Sequence, residues 1–339
     1  MERIALGTSG FNDAARCLKR YEYRWELGLV PPPRDVRPTL RRGVWLHRCL
    51  QLADEGEPWE TELGSMGQWA VDHGVEHDKI EPAMVEVQTL VEDYLAYWAG
   101  HEDLLGVPGP WTTVESEYQV CWSPRPDLDL TATIDILKRD GNGRLWIWER
   151  KSTQDIPDSN WRTVDPQTML QFTLARKQGL EVSGIIFDYI CTRPARVPRV
   201  TQQGRLHKSD EEMHTRARQF AEAEQQMRRN RQPESYINEW RSRLVSDGGE
   251  WFQRYPTLRP DANAQLTLRD VAATLRNIIE AKKAGYWPRS VNLLDCRLFC
   301  PYGKLCMHEY QLGHDSPAMR EEYMIQQSDD NYAMGRSDW

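Results

Sequence analysis

Residues Leu145–Asp155 read LWIWERKSTQD. A run of Leu, Trp, Ile and Trp suits a buried β-strand, and three charged residues follow it directly. Charge at the end of a buried strand is costly unless it is paired or bound. Either the strand emerges into solvent there, or Glu149, Arg150 and Lys151 have partners. The preceding DILKRDGNGR, Asp135–Arg144, is a second strand running into an Asp-Gly-Asn-Gly turn, so the two form a hairpin. A three-residue loop, Gly141–Gly143, pairs Asp140 with Arg144 and sets Asp135 opposite Glu149 on one face. A two-residue loop separates them onto opposite faces. In the first register Thr133, Asp135, Glu149 and Lys151 share a patch. Two carboxylates beside a lysine suit Mg²⁺ or Mn²⁺, which takes oxygen ligands and keeps waters and phosphate oxygens for the rest of its shell. Such an ion polarises a phosphodiester and acidifies bound water, and the ammonium orients that water or offsets the developing charge. The alternative is an exposed Glu-Lys pair on an edge strand, since Glu-x-Lys is a common pattern.

Outward from the hairpin, residues from about Ser9 to Trp98 read as mainly helical, with a Pro-rich break at VPPPRDVRP and a strong helix in EPAMVEVQTLVEDYLAYW. WTTVESEYQVCW, LTATIDILK and GRLWIWERK are strand-like, followed by a helix in DPQTMLQFTLARKQG and a strand in GIIFDYICT. This order predicts an α/β fold with a mixed central sheet flanked by helices. Beyond TRPARVPRVTQQG, a charged helix is expected from about Ser209 to Arg231. A helix in LTLRDVAATLRNIIEAKKAG ends at Gly285, and DCRLFCPYGKLC and a polar tail follow. The expected organisation is one integrated domain. Within it, 1–110 is a helical N-terminal region, 111–200 the core sheet and helix, 201–315 a helical region ending in the cysteines, and 316–339 the tail.

The 339 residues suffice for a substantial core, and 40% hydrophobic with 28% charged residues is ordinary for a globular protein. No apolar run reaches the length of a membrane span, and MERIALGTSG lacks the apolar core of an export signal, so an intracellular, cytoplasmic protein is expected. A formal charge of -8 argues against coating nucleic acid over the whole surface, but it leaves room for local basic clusters. RPTLRRGVWLHR, TRARQF and RRNRQ are such clusters, and each is either a solvated helix face or a phosphate contact. Seven cysteines, an odd number, make a disulfide framework a poor explanation. Cys49, Cys121 and Cys191 lie in apolar surroundings and read as small core residues. Cys296, Cys300 and Cys306, with the distant Cys17, make four thiols. By spacing alone these fit a [4Fe-4S] cluster, a zinc site or unligated core cysteines.

Two further features stand beside the hairpin: His47 in RRGVWLHRCLQ, and Gln167 and Gln171, four apart on one helix face in DPQTMLQ. In the order His, Asp, Glu-x-Lys, Gln, the set resembles the RecB-like branch of the PD-(D/E)xK nucleases. The resemblance runs from TSGFNDAARCLKRYEYRW through GVWLH, TIDILK, WERKS and DPQTMLQ to the final cysteines. YICTRPARVPRVTQQGRL and YWPRSVNLLDCRLFCPYGKLC look especially like phage-encoded exonucleases of this group, kin to the CRISPR-associated family-four exonucleases and to the nuclease lobes of RecBCD and AddAB.

The resemblance implies a restriction-endonuclease-like core in which His47, Asp135, Glu149 and the backbone carbonyl of Arg150 bind Mg²⁺ or Mn²⁺. It makes Lys151 the catalytic lysine, has Gln167 or Gln171 hold the substrate or that lysine, and gives Glu117 a part in positioning metal or DNA. It also implies a structural [4Fe-4S] cluster on Cys17, Cys296, Cys300 and Cys306, with zinc as the alternative. The sequence departs from the pattern in three places. Ile134 stands where the family name has proline, and the tyrosine of Q-x-x-x-Y is replaced by Gln171 or Ala175. The gap between Cys296 and Cys300 is also one residue longer than the commonest form. The implied activity is metal-dependent DNA exonuclease action in phage or bacterial recombination, repair or replication, in the host cytoplasm if phage-encoded. A helicase or a single-strand annealing protein is the implied partner, since no G-x-x-x-x-G-K-[ST] is present. The alternatives are a catalytically silent DNA-binding or structural Fe-S module, and a nuclease of CRISPR adaptation.

Overall fold

A computed structural model describes residues 4–31, 38–99, 107, 109–157, 162, 164–193, 195–212, 215–245, 251–258, 261–290, 292 and 294–325. In chain order the elements are β1 (Ile4–Gly7), α1 (Thr8–Arg16), α2 (Leu18–Tyr21), a π-helical turn at Glu22–Glu26, β2 (Leu29–Val30), α3 (Pro38–Glu55), α4 (Trp59–Asp72) and α5 (His77–Trp98). The strands β3 (Thr112–Arg125), β4 (Leu128–Arg139) and β5 (Leu145–Thr153) follow, then α6 (Pro166–Lys177) and β6 (Val182–Cys191). A 3₁₀ turn at Lys208–Asp210 precedes α7 (Ala217–Arg229), α8 (Glu234–Leu244), β7 (Phe252–Leu258) and α9 (Asp261–Ala284). The chain closes with a π-helical turn at Asp295–Phe299, α10 (Gly303–Leu312), α11 (Pro317–Arg320) and β8 (Met324–Ile325). Most of the Pro-rich break, at 32–37, and the end of the polar tail, at 326–339, lie outside the described residues.

The sheet is mixed, as the order of elements predicts, and has six strands among the described residues. β4 pairs antiparallel with β3 along one edge; its other edge takes β1 in parallel at the start and β5 antiparallel at the end. β5 continues to β6 in parallel and β6 to β7 antiparallel. Residues 145–150 are buried throughout, because β5 is covered on both faces. α6 lies on one, contributing Leu170, Phe172 and Leu174 to the main core. Trp146, Trp148, Ile136 and Ile186 pack together on the other. A strand enclosed in this way reads as a continuous apolar run. α5 buries Ile80, Ala83, Val87, Leu90, Val91 and Tyr94, the spacing of one helix face. Gly43 brings α3 against the end of β5, where a Cβ would stand 3.0 Å from the Ser152 hydroxyl.

Several features depart from the sequence reading. β1 is only four residues long and β7 contains Pro256, so neither shows a strand pattern in the sequence, and β7 tolerates its proline at the sheet edge. The charged helix expected from Ser209 starts only at Ala217. Before it, Asp210 accepts hydrogen bonds from the Arg199 amide and guanidinium, which holds the chain in a turn. Cys121 is exposed rather than in the core, because it alternates with the buried Val120 along β3. Cys49 and Cys191 are buried, as expected. Among the described residues no helix is long and apolar enough to cross a membrane.

Candidate active site

The register of the β4–β5 hairpin decides what meets at its open end. Ile136 pairs with Trp148 and Arg139 with Leu145, so the ladder continued by one step sets Asp135 opposite Glu149. This is the three-residue-loop register. Asp140 makes it: its side chain accepts the Asn142 and Arg144 amides at 3.0 and 2.9 Å, the Arg144 Nε at 2.7 Å and the Trp146 indole at 3.0 Å. Gly143 closes the turn at a φ of 77°, where a residue with a side chain is disfavoured. Beyond Ile136 and Trp148 the strands separate, and the Asp135 Oδ2 accepts the Arg150 backbone N–H at 3.0 Å. On the other side, Ser116 pairs with Ile136 and Tyr118 with Ile134, which places Glu117 across from Asp135 with a φ of 50°.

Alternation along β5 sends its three charges two ways. Glu149 and Lys151 face α6: Lys151 Nζ lies 2.7 Å from the Glu149 Oε1 and donates to the Gln167 Oε1 at 2.8 Å. The Gln171 amide donates to the Glu149 Oε2 at 2.9 Å and to the Thr133 carbonyl at 2.8 Å. Both candidate glutamines therefore touch the Glu-x-Lys pair, Gln171 on the carboxylate and Gln167 on the ammonium. The sequence reason is local. Asp165 caps α6 by accepting the Thr168 amide, and Pro166 starts the first turn, which fixes where both glutamines project.

Arg150 points the other way, into an ion-pair network that the sequence reading missed. Its guanidinium bonds Asp54 on α3 and lies 3.8 Å from Asp188 on β6. Asp54 also takes Lys138 at 3.0 Å. Asp188, fully buried, accepts the Trp148 indole at 2.8 Å, the Tyr94 hydroxyl and the Arg254 Nε at 3.3 Å. The acidic partners of Arg150 lie on other elements, α3 and β6, so no local signal marks the pairing.

The charge states follow from this packing. Burial raises the Glu149 pKa above the ordinary carboxylate range, Asp135 pushes it the same way, and Lys151 opposes both. Burial works against the Lys151 ammonium, but Glu149, Asp165 and Asp135 outweigh it and hold the charge in place. His47, on α3, has its pKa lowered to about 4 by burial and then by the cations of Arg150 and Lys151. It is therefore neutral at physiological pH, the form in which imidazole ligates metal.

The four cysteines of the expected cluster lie in a different region of the chain, around Arg289 and Ser290. The Ser290 amide donates to the Cys17 Sγ at 3.4 Å, and the Cys296 Sγ lies 3.8 Å from the Ser290 carbonyl. Burial raises the Cys300 thiol pKa to about 11, and Cys17 and Cys296 are near enough to add to it. Cys306 interacts with the neighbouring Arg289. Among the described residues, neither place closes three or more His, Cys, Asp or Glu side chains into a metal-binding group.

A family model for the PD-(D/E)XK nuclease superfamily matches residues 5–307. No curated relative matches the chain. Among solved structures, the one described as "Crystal structure of SSO0001" aligns at 10% identity over 90% of this chain and 87% of that one, with a TM-score of 0.32.

Proposed function

Because this chain belongs to the PD-(D/E)XK nuclease superfamily, we propose that it is a metal-dependent DNA exonuclease of the RecB-like branch, with its site at the open end of the β4–β5 hairpin. The observation that carries this reading is the juxtaposition of Asp135, Glu149 and Lys151 by register, with α6 bonding both members of the Glu-x-Lys pair. The donor set fits a hard divalent ion. Asp135, Glu149 and the Arg150 carbonyl offer oxygens, His47 is neutral, and the buried Gln171 Oε1 has no hydrogen-bond partner. When bound, Mg²⁺ or Mn²⁺ supplies Lewis acidity toward the phosphodiester and its attacking water.

The chain's own residues do the rest. Gln171 fixes the rotamer of Glu149 and ties it to β4 through Thr133. Lys151, whose ammonium is favoured by Glu149, Asp165 and Asp135, holds the water or a phosphate oxygen and offsets negative charge. Gln167 orients that ammonium. Glu117, which the ladder sets across from Asp135, would help position metal or DNA. A [4Fe-4S] cluster on Cys17, Cys296, Cys300 and Cys306 would join the N-terminal helices to the C-terminal segment as a structural element. The proximity of Cys17 and Cys296 to Ser290 and to Cys300 supports this.

The test is release of acid-soluble nucleotides from end-labelled linear DNA with Mg²⁺ or Mn²⁺, beside a covalently closed circle and the Lys151→Ala protein. Degradation of linear DNA alone, lost in the variant, is expected. Cutting of the closed circle points to an endonuclease, and inactivity under both metals points to a silent DNA-binding module.

A further inference from the structure

Between β6 and β7 the chain leaves the sheet for residues 192–251 and builds a helical insert with its own core of Leu206, Phe220, Ala223, Met227, Ile237, Trp240 and Leu244. It leaves at the carboxyl end of β6, two residues past Tyr189, the strand partner of Lys151. That is the end of the sheet where β5 presents Glu149 and Lys151. Residues 192–251 hold 12 Lys and Arg against 9 Asp and Glu, a formal +3 within a chain of -8, which leaves -11 for the remainder.

Part of this positive charge lies at the C-terminal end of α7. α7 is anchored at its start, where the Arg216 guanidinium bonds the Cys191 carbonyl at 3.4 Å. Thirteen residues at 1.5 Å each carry its other end about 20 Å away. There the helix ends in a two-bond cap: the Arg231 amide donates to the Arg228 carbonyl at 2.9 Å and the Gln232 amide to the Met227 carbonyl at 3.1 Å. Such a cap calls for glycine or asparagine at its left-handed position, yet Arg231 occupies it with a φ of 57°. A second turn, Thr201–Arg205, locks onto it. Gln232 donates to the Gln203 carbonyl at 2.8 Å, and a Cβ on Gly204 would stand only 2.4 Å from the Asn230 Cβ. The two turns thus present Arg205, Arg229 and Arg231 together, all exposed and without an ion pair among the described residues. Arg228, beside them, is held by Glu224 and Glu234.

We propose that Arg205, Arg229 and Arg231 grip the phosphodiester backbone of duplex DNA away from the end being cut. This rests on the nuclease reading above. A duplex presents a regular array of phosphates along its length, so a rigid patch of guanidiniums outside the Glu149–Lys151 site has phosphates to meet wherever the helix passes it. The competing role is structural, since cations at a helix C-terminus favour its dipole. Such a role shows in stability and not in salt dependence.

The experiment measures binding of a labelled duplex of about 24 base pairs by fluorescence anisotropy across a salt series. The protein is the Lys151→Ala variant in EDTA, with and without Arg205→Gln, Arg229→Gln and Arg231→Gln together. Expected are binding weaker on the order of tenfold or more at low salt, and a log K against log salt slope shallower by about 2 to 3. The circular dichroism spectrum and melting temperature should not change. An unchanged salt slope overturns the proposal, as does an equal loss on removing the same charge elsewhere with Lys79→Gln, Arg269→Gln and Arg276→Gln. Failure of the Lys151→Ala protein to bind any DNA removes the nuclease reading itself, an outcome distinct from DNA binding that ignores the three arginines.

Discussion

One amide group of Gln171 bonds both the Glu149 carboxylate, at 2.9 Å, and the Thr133 backbone carbonyl, at 2.8 Å. It therefore bridges β5 and β4 at the point where their ladder ends. Replacing it with alanine frees Glu149 to turn away from Asp135. Outer partners of metal ligands are typically worth 10- to 100-fold in affinity or activity, so Gln171→Ala should weaken Mn²⁺ binding by about that factor. Calorimetric titration with Mn²⁺ measures this, and an unchanged affinity removes Gln171 from the site.

The hairpin register makes a prediction that no single site residue does. Deleting Arg139 from β4, with the Gly141–Gly143 loop kept at three residues, draws Asp135 one step toward the turn, opposite Trp148, and so turns it to the face away from Glu149. The variant should lose metal binding with every candidate ligand still present. Asn142→Gly keeps the loop length and should leave binding intact. Equal binding by the deletion variant and the parent protein contradicts the register argument.

Glu149 links metal binding to pH. Its pKa is raised by burial and by Asp135, so without metal the folded protein holds a proton that the unfolded chain releases above about 4.3. By linkage, this group's contribution to folding is fully present below that unfolded value and is lost as pH rises through the elevated folded one. A divalent ion needs the ionised form, so affinity should rise with pH over the same interval. Melting of the metal-free protein and Mn²⁺ affinity, followed from mildly acid to mildly alkaline pH, should move in opposite directions. Glu149→Gln should flatten both.

The network behind the strand governs stability. Asp188 is fully buried and accepts bonds from Trp148, Tyr94 and Arg254. Removing one partner of a buried charge network costs about 3–5 kcal/mol, because the opposite charges remain buried without compensation. Asp188→Ala should lower unfolding free energy by that amount in urea denaturation. A loss below about 1 kcal/mol, the range of exposed pairs, would mean that water reaches Arg150 and Arg254.

The cysteine corner is tested by Cys17→Ala. Under the cluster reading the purified protein loses its brown absorbance and iron content together and melts at a lower temperature. Cys121→Ala, at an exposed position on β3, should change neither. Iron-free wild-type protein with the same melting temperature as Cys17→Ala removes the cluster.

What the sequence by itself determined is local. Aromatic and β-branched runs mark β3 to β6, the Asp-Gly-Asn-Gly turn marks the hairpin but leaves two registers open, and Asp165-Pro166 starts the helix that carries Gln167 and Gln171. Each depends on residues within a few positions of one another, where backbone preference and periodicity act directly. What only the tertiary structure decided is which distant side chains share a low-dielectric interior. It pairs Arg150 with Asp54, 96 positions away, exposes Cys121, and adds the short β1 and the proline-bearing β7 to the sheet. Those outcomes come from burial, because a charge enclosed between sheet and helices must find its counterpart wherever the chain brings one, and no spacing in the sequence records that.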